Sequence, residues 1–178
     1  METQEIFSQI KTHMLEGMVF HDEMMRYWDF LALKGYKAAH KHHYEEETKG
    51  YRDLCSYYIR HYNMLIQPGT MTRPDVIPDS WYKYYRQEVD ASTKRTAVKN
   101  GFMKWVEWEE KTKELYEQMC KELYMQNEIS AALYFSKFVN AVDEELSKAY
   151  KKQMQLDNIV YDISFILAEQ EEIYQRYT

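Results

Sequence analysis

The sequence predicts an all-α protein: a four-helix bundle of two helical hairpins, joined by a long crossover and followed by a short C-terminal fifth helix. Three observations carry this expectation. Apolar residues recur three and four apart over long segments, the period of a helix that buries one face. The 178 residues include only 5 Gly and 3 Pro, too few for the frequent turns of an all-β chain or for a linker-like one. All three prolines, Pro68, Pro74 and Pro78, fall in one stretch, QPGTMTRPDVIPDS, where the missing N–H and the ring clash end any helix.

The elements follow in order. A first helix over about 3–34 ends at Leu33-Lys34-Gly35, with Gly35 as a left-handed cap. A second runs over about 36–66, up to the prolines. A Pro-containing crossover, 67–90, holds Asp79 as the cap of a short helix through WYKYYRQEV. The third helix spans about 91–126, with Asn100-Gly101 as a break or as its true start. Asn127 is placed to N-cap a fourth helix, about 128–156. Asp157 opens a fifth, about 158–175, with Ile159, Ile163, Ile166, Leu167, Ile173 and Tyr174 on its apolar face. Tight turns make each hairpin antiparallel, whereas the crossover is long enough to travel the height of the bundle. The length fits a single helical domain, 1–178.

Charge and composition exclude several function classes. The net charge is −6 and the pI about 5.6, with Lys and Arg interleaved with Glu as on solvated helix faces. Nucleic acid and anionic membrane are therefore not expected partners. METQEIFSQIKTHMLEG lacks a signal-peptide pattern and no 18-residue apolar run occurs, so a cytoplasmic protein is expected. Cys55 and Cys120 form no CxxC and are expected as buried free thiols. Nucleotide-binding glycine loops, a GxSxG elbow and an HExxH helix are absent from the sequence. Two biases stand out: Tyr supplies 17 of the 28 aromatic residues, and all six His lie within the first 61 positions.

Placing residues at 100° per step identifies the polar side chains that share a buried stripe. On the first helix the stripe passes through Ile6, Ile10, Gly17, Met24 and Trp28, with His21 within about 30° and His13 within about 50°. Glu16 and Glu23 lie more than about 100° away. On the second helix, His43, Glu47 and His61 fall on the line through Tyr36, Gly50, Leu54, Tyr58 and Leu65, and His40 lies close by. On the third, Glu109 is within about 30° of the line through Val98, Trp105, Tyr116 and Leu123. On the fourth, Glu145 is roughly 70° from Phe135, Val142, Leu146 and Ala149. A carboxylate cannot be buried alone; it must be paired, protonated or metal-bound.

The candidate metal ligands are His21, His43, Glu47, Glu109 and Glu145, with His40 at the margin. Imidazole with carboxylate suits iron, manganese or zinc. A metal-free polar core, in which these groups bond each other and the tyrosine hydroxyls, accounts for the same pattern. For His13 and His61 taken singly the structural role is preferred. Of the run Glu45-Glu46-Glu47 only Glu47 points inward.

This architecture and these inward residues resemble the ferritin-like superfamily, which includes ferritins, bacterioferritins, Dps-type mini-ferritins and rubrerythrins, over about residues 3–156. The family pattern is a Glu on the first helix, Glu-x-x-His on the second, a Glu on the third and Glu-x-x-His on the fourth. The resemblance assigns Glu109 and Glu145 to the third and fourth helices, and Glu16 to the first only under a different helical phase. The second helix departs, reading HKHHYEEETKG with His43 ahead of Glu47, and Lys148 stands three residues after Glu145 where a His would be. The resemblance implies transition-metal binding with redox or O₂/peroxide chemistry. A heme-oxygenase-like fold, with His13 or His21 as heme ligand, is the competing architecture, but it packs more and shorter helices. The competing function is a non-enzymatic assembly module, self-associating through tyrosines of the second helix, WYKYY (81–85) and the terminal helix.

Overall fold

Five α-helices and one 3₁₀ helix make up the described residues, 2–83 and 89–178, of the computed structural model. They are α1 (Thr3–Phe30), α2 (Lys34–Tyr62), α3 (Ala91–Met125), α4 (Ile129–Asn158) and α5 (Ile163–Tyr177), with the 3₁₀ turn at Asp79–Lys83. Hairpin α1–α2 and hairpin α3–α4 form the bundle, and α5 folds back onto α2.

The turns differ from expectation in instructive ways. α1 ends at Phe30, and the left-handed residue is Ala32, at φ 55°, not Gly35. Ala32 N–H donates to Asp29 O and Leu33 N–H to Trp28 O, the paired bonds that close a helix C-terminus. Gly35 lies inside α2 for a steric reason: a Cβ there would stand 2.6 Å from the Gln170 carbonyl oxygen on α5. Gln170 Oε1 accepts from Gly35 N (2.9 Å) and Tyr36 N (3.2 Å). α5 thereby caps α2, whose own N-cap residue, Leu33, has no acceptor side chain.

Asn63, left-handed at φ 50°, ends α2 at Tyr62 instead of near 66. Leu65 consequently lies outside the helix and is 75% exposed, and His61 is exposed on the last turn. Asn127 (φ 62°) closes the C-terminus of α3 and does not N-cap α4. The cap of α5 is Asp162, accepting from Phe165 N, while Asp157 belongs to α4. Asp90 caps α3 through Thr93 N. Asn100-Gly101 does not interrupt α3. Glycine is required there because a Cβ would meet the Trp28 ring at 2.3 Å.

Residues 66–75 lie as a strap over α1 and α3. Lys11 Nζ donates to Ile66 O, Gly69 N to Thr12 Oγ1, Thr72 N to Glu16 Oε1, Arg73 to Glu23 Oε1, and Lys104 Nζ to Asp75 O. Glu16 and Glu23 are thus buried by the strap rather than by the bundle interior.

Two apolar clusters fill the bundle, one around Trp28, Phe102 and Leu146 and the other around Phe7, Leu54 and Phe135. Buried polar residues pack against both: His13 meets Trp108 and Tyr116, His21 meets Phe20 and His43 meets Trp105. The tyrosines of α2 are buried or half-buried, not the exposed surface expected. Tyr82 is 60% exposed and accepts from Arg73; Tyr84 and Tyr85 lie outside the described residues. Cys55 and Cys120 are free and only half-buried. Among the described residues no helix is long and apolar enough to cross a membrane.

Candidate metal centre

His21, His43, Glu47, Glu109 and Glu145 line one cavity of about 420 Å³, half open to solvent between α2 and α4. Four helices contribute to it because each turns its buried face towards the bundle interior. Glu46 and Tyr116 line it as well.

His43 is its focus. The ring is buried, with Nδ1 3.3 Å from Glu145 Oε2 and 3.8 Å from Glu46 Oε2. His43, Glu46 and Glu145 each offer a ligand atom within 4.8 Å of the other two, a spacing open to donors sharing one ion at about 2.1 Å from each. Among the described residues His43 Nε2 is buried without a hydrogen-bond partner, and so is Glu145 Oε2. Glu145 Oε1 accepts from Lys148 Nζ at 2.6 Å. The His43 ring holds the Glu46 carboxyl below the usual carboxylate range.

Two further carboxyl groups face the cavity. Burial, aided by Glu46, pushes Glu47 up to about 8. Glu109 is also pushed up to about 8, chiefly by burial, and accepts from Trp105 Nε1 at 3.0 Å. Opposite Glu47 stands Gly17, where a Cβ would lie 3.2 Å from the Glu47 carboxyl. That glycine fills the place where α1 would have to present a ligand. Glu16, which the resemblance assigns to α1 only under a different helical phase, turns instead to the strap and lies 3.6 Å from His13 Nδ1. Tyr116 Oη is buried and unpartnered, its hydroxyl pushed up by burial next to Glu47 and Glu109.

The imidazoles divide into two groups. His21 Nδ1 lies 3.1 Å from His40 Nδ1, and burial holds both rings well below the usual imidazole range. Both are therefore neutral, one Nδ1 donating and the other accepting. His40 sits behind His43 against Trp28 and Trp105. His13 bonds Thr112 Oγ1 at 2.7 Å and stacks on Trp108, away from the cavity. His61 stacks on Tyr57 at the exposed end of α2.

Glu46 escaped the periodicity argument because its side chain is 56% exposed. The available signal was His43-Tyr44-Glu45-Glu46, two donors three residues apart on one helical face and the reverse of Glu-x-x-His. Two imidazoles, His21 and His43, among the carboxyl groups of Glu46, Glu47, Glu109 and Glu145 make an oxygen-rich lining, which suits manganese or iron.

No family model matches the chain, and no curated protein matches it by sequence. Solved structures do. A humanized archaeal ferritin and an engineered closed form of the Archaeoglobus fulgidus ferritin each superpose with a TM-score of 0.79. An open pore ferritin from the hyperthermophilic archaeon Archaeoglobus fulgidus gives 0.78. Each is 14% identical, and the match covers 97% of this chain and 94% of the other. Element order, long crossover and superposition agree: the chain has the ferritin-like fold, a four-helix bundle with a short C-terminal helix.

Proposed function

We propose that this chain binds a transition metal, iron or manganese ahead of zinc, in the α2–α4 cavity, with His43, Glu46, Glu47, Glu109 and Glu145 as donors and His21 behind them. The observation that carries the reading is the pair of buried atoms left without hydrogen bonds, His43 Nε2 and Glu145 Oε2, beside two carboxyl groups pushed up to about 8. Leaving such groups unsatisfied costs stability, and a bound cation relieves that cost. A redox-active ion here would supply electron transfer to O₂ or peroxide. The chain's own contribution is the donor set, a Trp105 N–H that orients Glu109, and an opening between α2 and α4 wide enough for a small oxidant.

Elemental analysis of protein purified without chelators tests this. Near-stoichiometric iron or manganese is expected, together with a rise in Tm on adding Mn²⁺ to chelator-treated protein. Substoichiometric metal with an unmoved Tm would sink the reading.

A second reading keeps the bundle metal-free as an assembly module. Its specific support is Lys148, which already neutralises Glu145, together with the exposed Leu65, Met125 and Leu133. Sedimentation that returns only monomer at high concentration would exclude it.

A further inference from the structure

A second cavity, of about 870 Å³, lies where α5 meets α2, α3 and α4. Its size is within the range of small-molecule sites. Its walls are aromatic: Tyr36, Phe102 and Trp105 form a buried inner face, and Phe165 and Tyr177 of α5 stand on the outer side. Tyr36 and Phe102 meet edge to face at 5.1 Å, and Phe102 and Trp105 are 5.9 Å apart. The inner wall is therefore a continuous, fixed set of rings rather than a mobile aliphatic lining.

The charge around these rings is unbalanced. Lys148, Lys151, Lys152 and Arg176 line the cavity against two carboxylates, Glu169 and Glu172. Lys152 is paired with Glu169, and Arg176 with Glu172. The partner of Lys148 is Glu145, which belongs to the other cavity. Lys151 is paired with no carboxylate among the described residues. One cation, Lys151, is thus left in excess at an aromatic cavity, in a chain whose net charge is −6.

We propose that this cavity binds a planar aromatic anion, with its ring against Tyr36, Phe102 and Trp105 and its acidic group on Lys151. Flat rings gain from offset or edge contacts with such a wall. The unpaired Lys151 ammonium favours a carboxylate or sulfonate over a neutral ring, because only the anion supplies it with a counter-charge. The site does not depend on metal in the neighbouring cavity.

The test uses the full chain in chelator and 8-anilinonaphthalene-1-sulfonate, read by fluorescence, with 2-naphthoate and neutral 2-methoxynaphthalene as competitors. One saturable site is expected, displaced by 2-naphthoate and weakened by added salt. Ala168→Trp, an exposed position on α5 that lines the cavity, should weaken binding at least about tenfold by filling it. Lys151→Glu should weaken it roughly threefold to tenfold and flatten the salt dependence. Near-UV circular dichroism of each variant verifies packing, since a loosened core takes up the same dye without a defined site. Non-saturable uptake, undiminished affinity in well-packed Ala168→Trp, or equal displacement by the neutral competitor would overturn the proposal.

Discussion

The two long seams of this bundle are built differently. Along α1–α3 the helices approach until only glycine fits, Gly101 lying against the Trp28 ring. Tyr27 donates to Ala97 O across the seam, His13 meets Thr112, and the crossover seals the outside. Along α2–α4, Tyr57 and Tyr134 stack at one end with centroids 3.7 Å apart. The seam then opens into the cavities of about 420 and 870 Å³. Residues of the same type consequently do different work. His13, in the closed seam, is hydrogen-bonded and stacked, whereas His43, in the open seam, keeps a buried nitrogen unused. Glu16 and Glu23 spend their charge on the strap, whereas Glu47 and Glu109 face a cavity. Closure confers stability on one side, and incomplete closure leaves room for chemistry on the other.

The sharpest way to break this contrast is a matched pair of glycine substitutions. Gly101→Ala forces a Cβ into Trp28, held between α1 and α3, and should cost about 3 kcal/mol, a fall in Tm of roughly 6–12 °C. Gly50→Ala brings a Cβ to 3.1 Å from Phe138 Cε1, and that phenyl borders open space in the other seam. The helix-propensity gain of about 1 kcal/mol offsets the small ring shift, so Tm should stay within about 3 °C of wild type. Thermal melts giving equal losses for the two variants would show that the seams are equally tight.

Acidity separates the same regions. Metal-free protein holds Glu47 and Glu109 protonated to about pH 8. Below their ordinary value of 4.5 both states carry the proton. Above it the unfolded chain releases the proton first, so stability falls as pH rises from 4.5 towards 8. His13, pushed down to about 4 by burial and Lys111, has the opposite effect: the unfolded chain gains its proton below 6.5, and stability is lost as pH falls from 6.5 to 4. Calorimetry in chelator should therefore find a maximum at about pH 5–6. Glu109→Gln, which keeps an acceptor for Trp105, should raise Tm at pH 8 by roughly 4–8 °C, about 2 kcal/mol, and leave pH 5 nearly unchanged. His13→Gln should make the acid limb shallower, the buried His21 and His40 keeping the remainder, and leave the alkaline limb unchanged. An alkaline limb that persists unaltered in Glu109→Gln would show that the carboxyl is not held in its neutral form.

Periodicity reached the helices and the cavity residues because a long helix must bury one stripe, and polar members of that stripe are visible by angle alone. His43, Glu47 and Glu109 needed nothing more. Helix ends were less legible because three of them are set by tertiary contact or by residues that seldom adopt positive φ. Ala32 takes the left-handed position, while Gly35 answers to Gln170, which lies 135 positions away in sequence. Glu46 was missed for a related reason. Its angle assigns it to solvent; the three-residue spacing on α2 puts it beside His43, and only Glu145, brought to the same ring by α4, makes a cluster of the pair.

The smallest expected effect concerns Lys148, which stands between the two cavities of the open seam. Its ammonium donates to Glu145 at 2.6 Å, but the side chain is 59% exposed, so the pair contributes under about 1 kcal/mol to the metal-free fold. A cation entering the His43 site must compete with that ammonium for the same carboxylate. Lys148→Met should therefore move Tm in chelator by no more than about 3 °C, while strengthening Mn²⁺ retention about threefold to fivefold, measured by equilibrium dialysis. Glu145→Gln should abolish most retention at similar stability. Weaker Mn²⁺ retention in Lys148→Met would mean that the lysine orients Glu145 towards the ion instead of competing with it, and the open seam would then carry its own positioning device, as the strap does for the closed one.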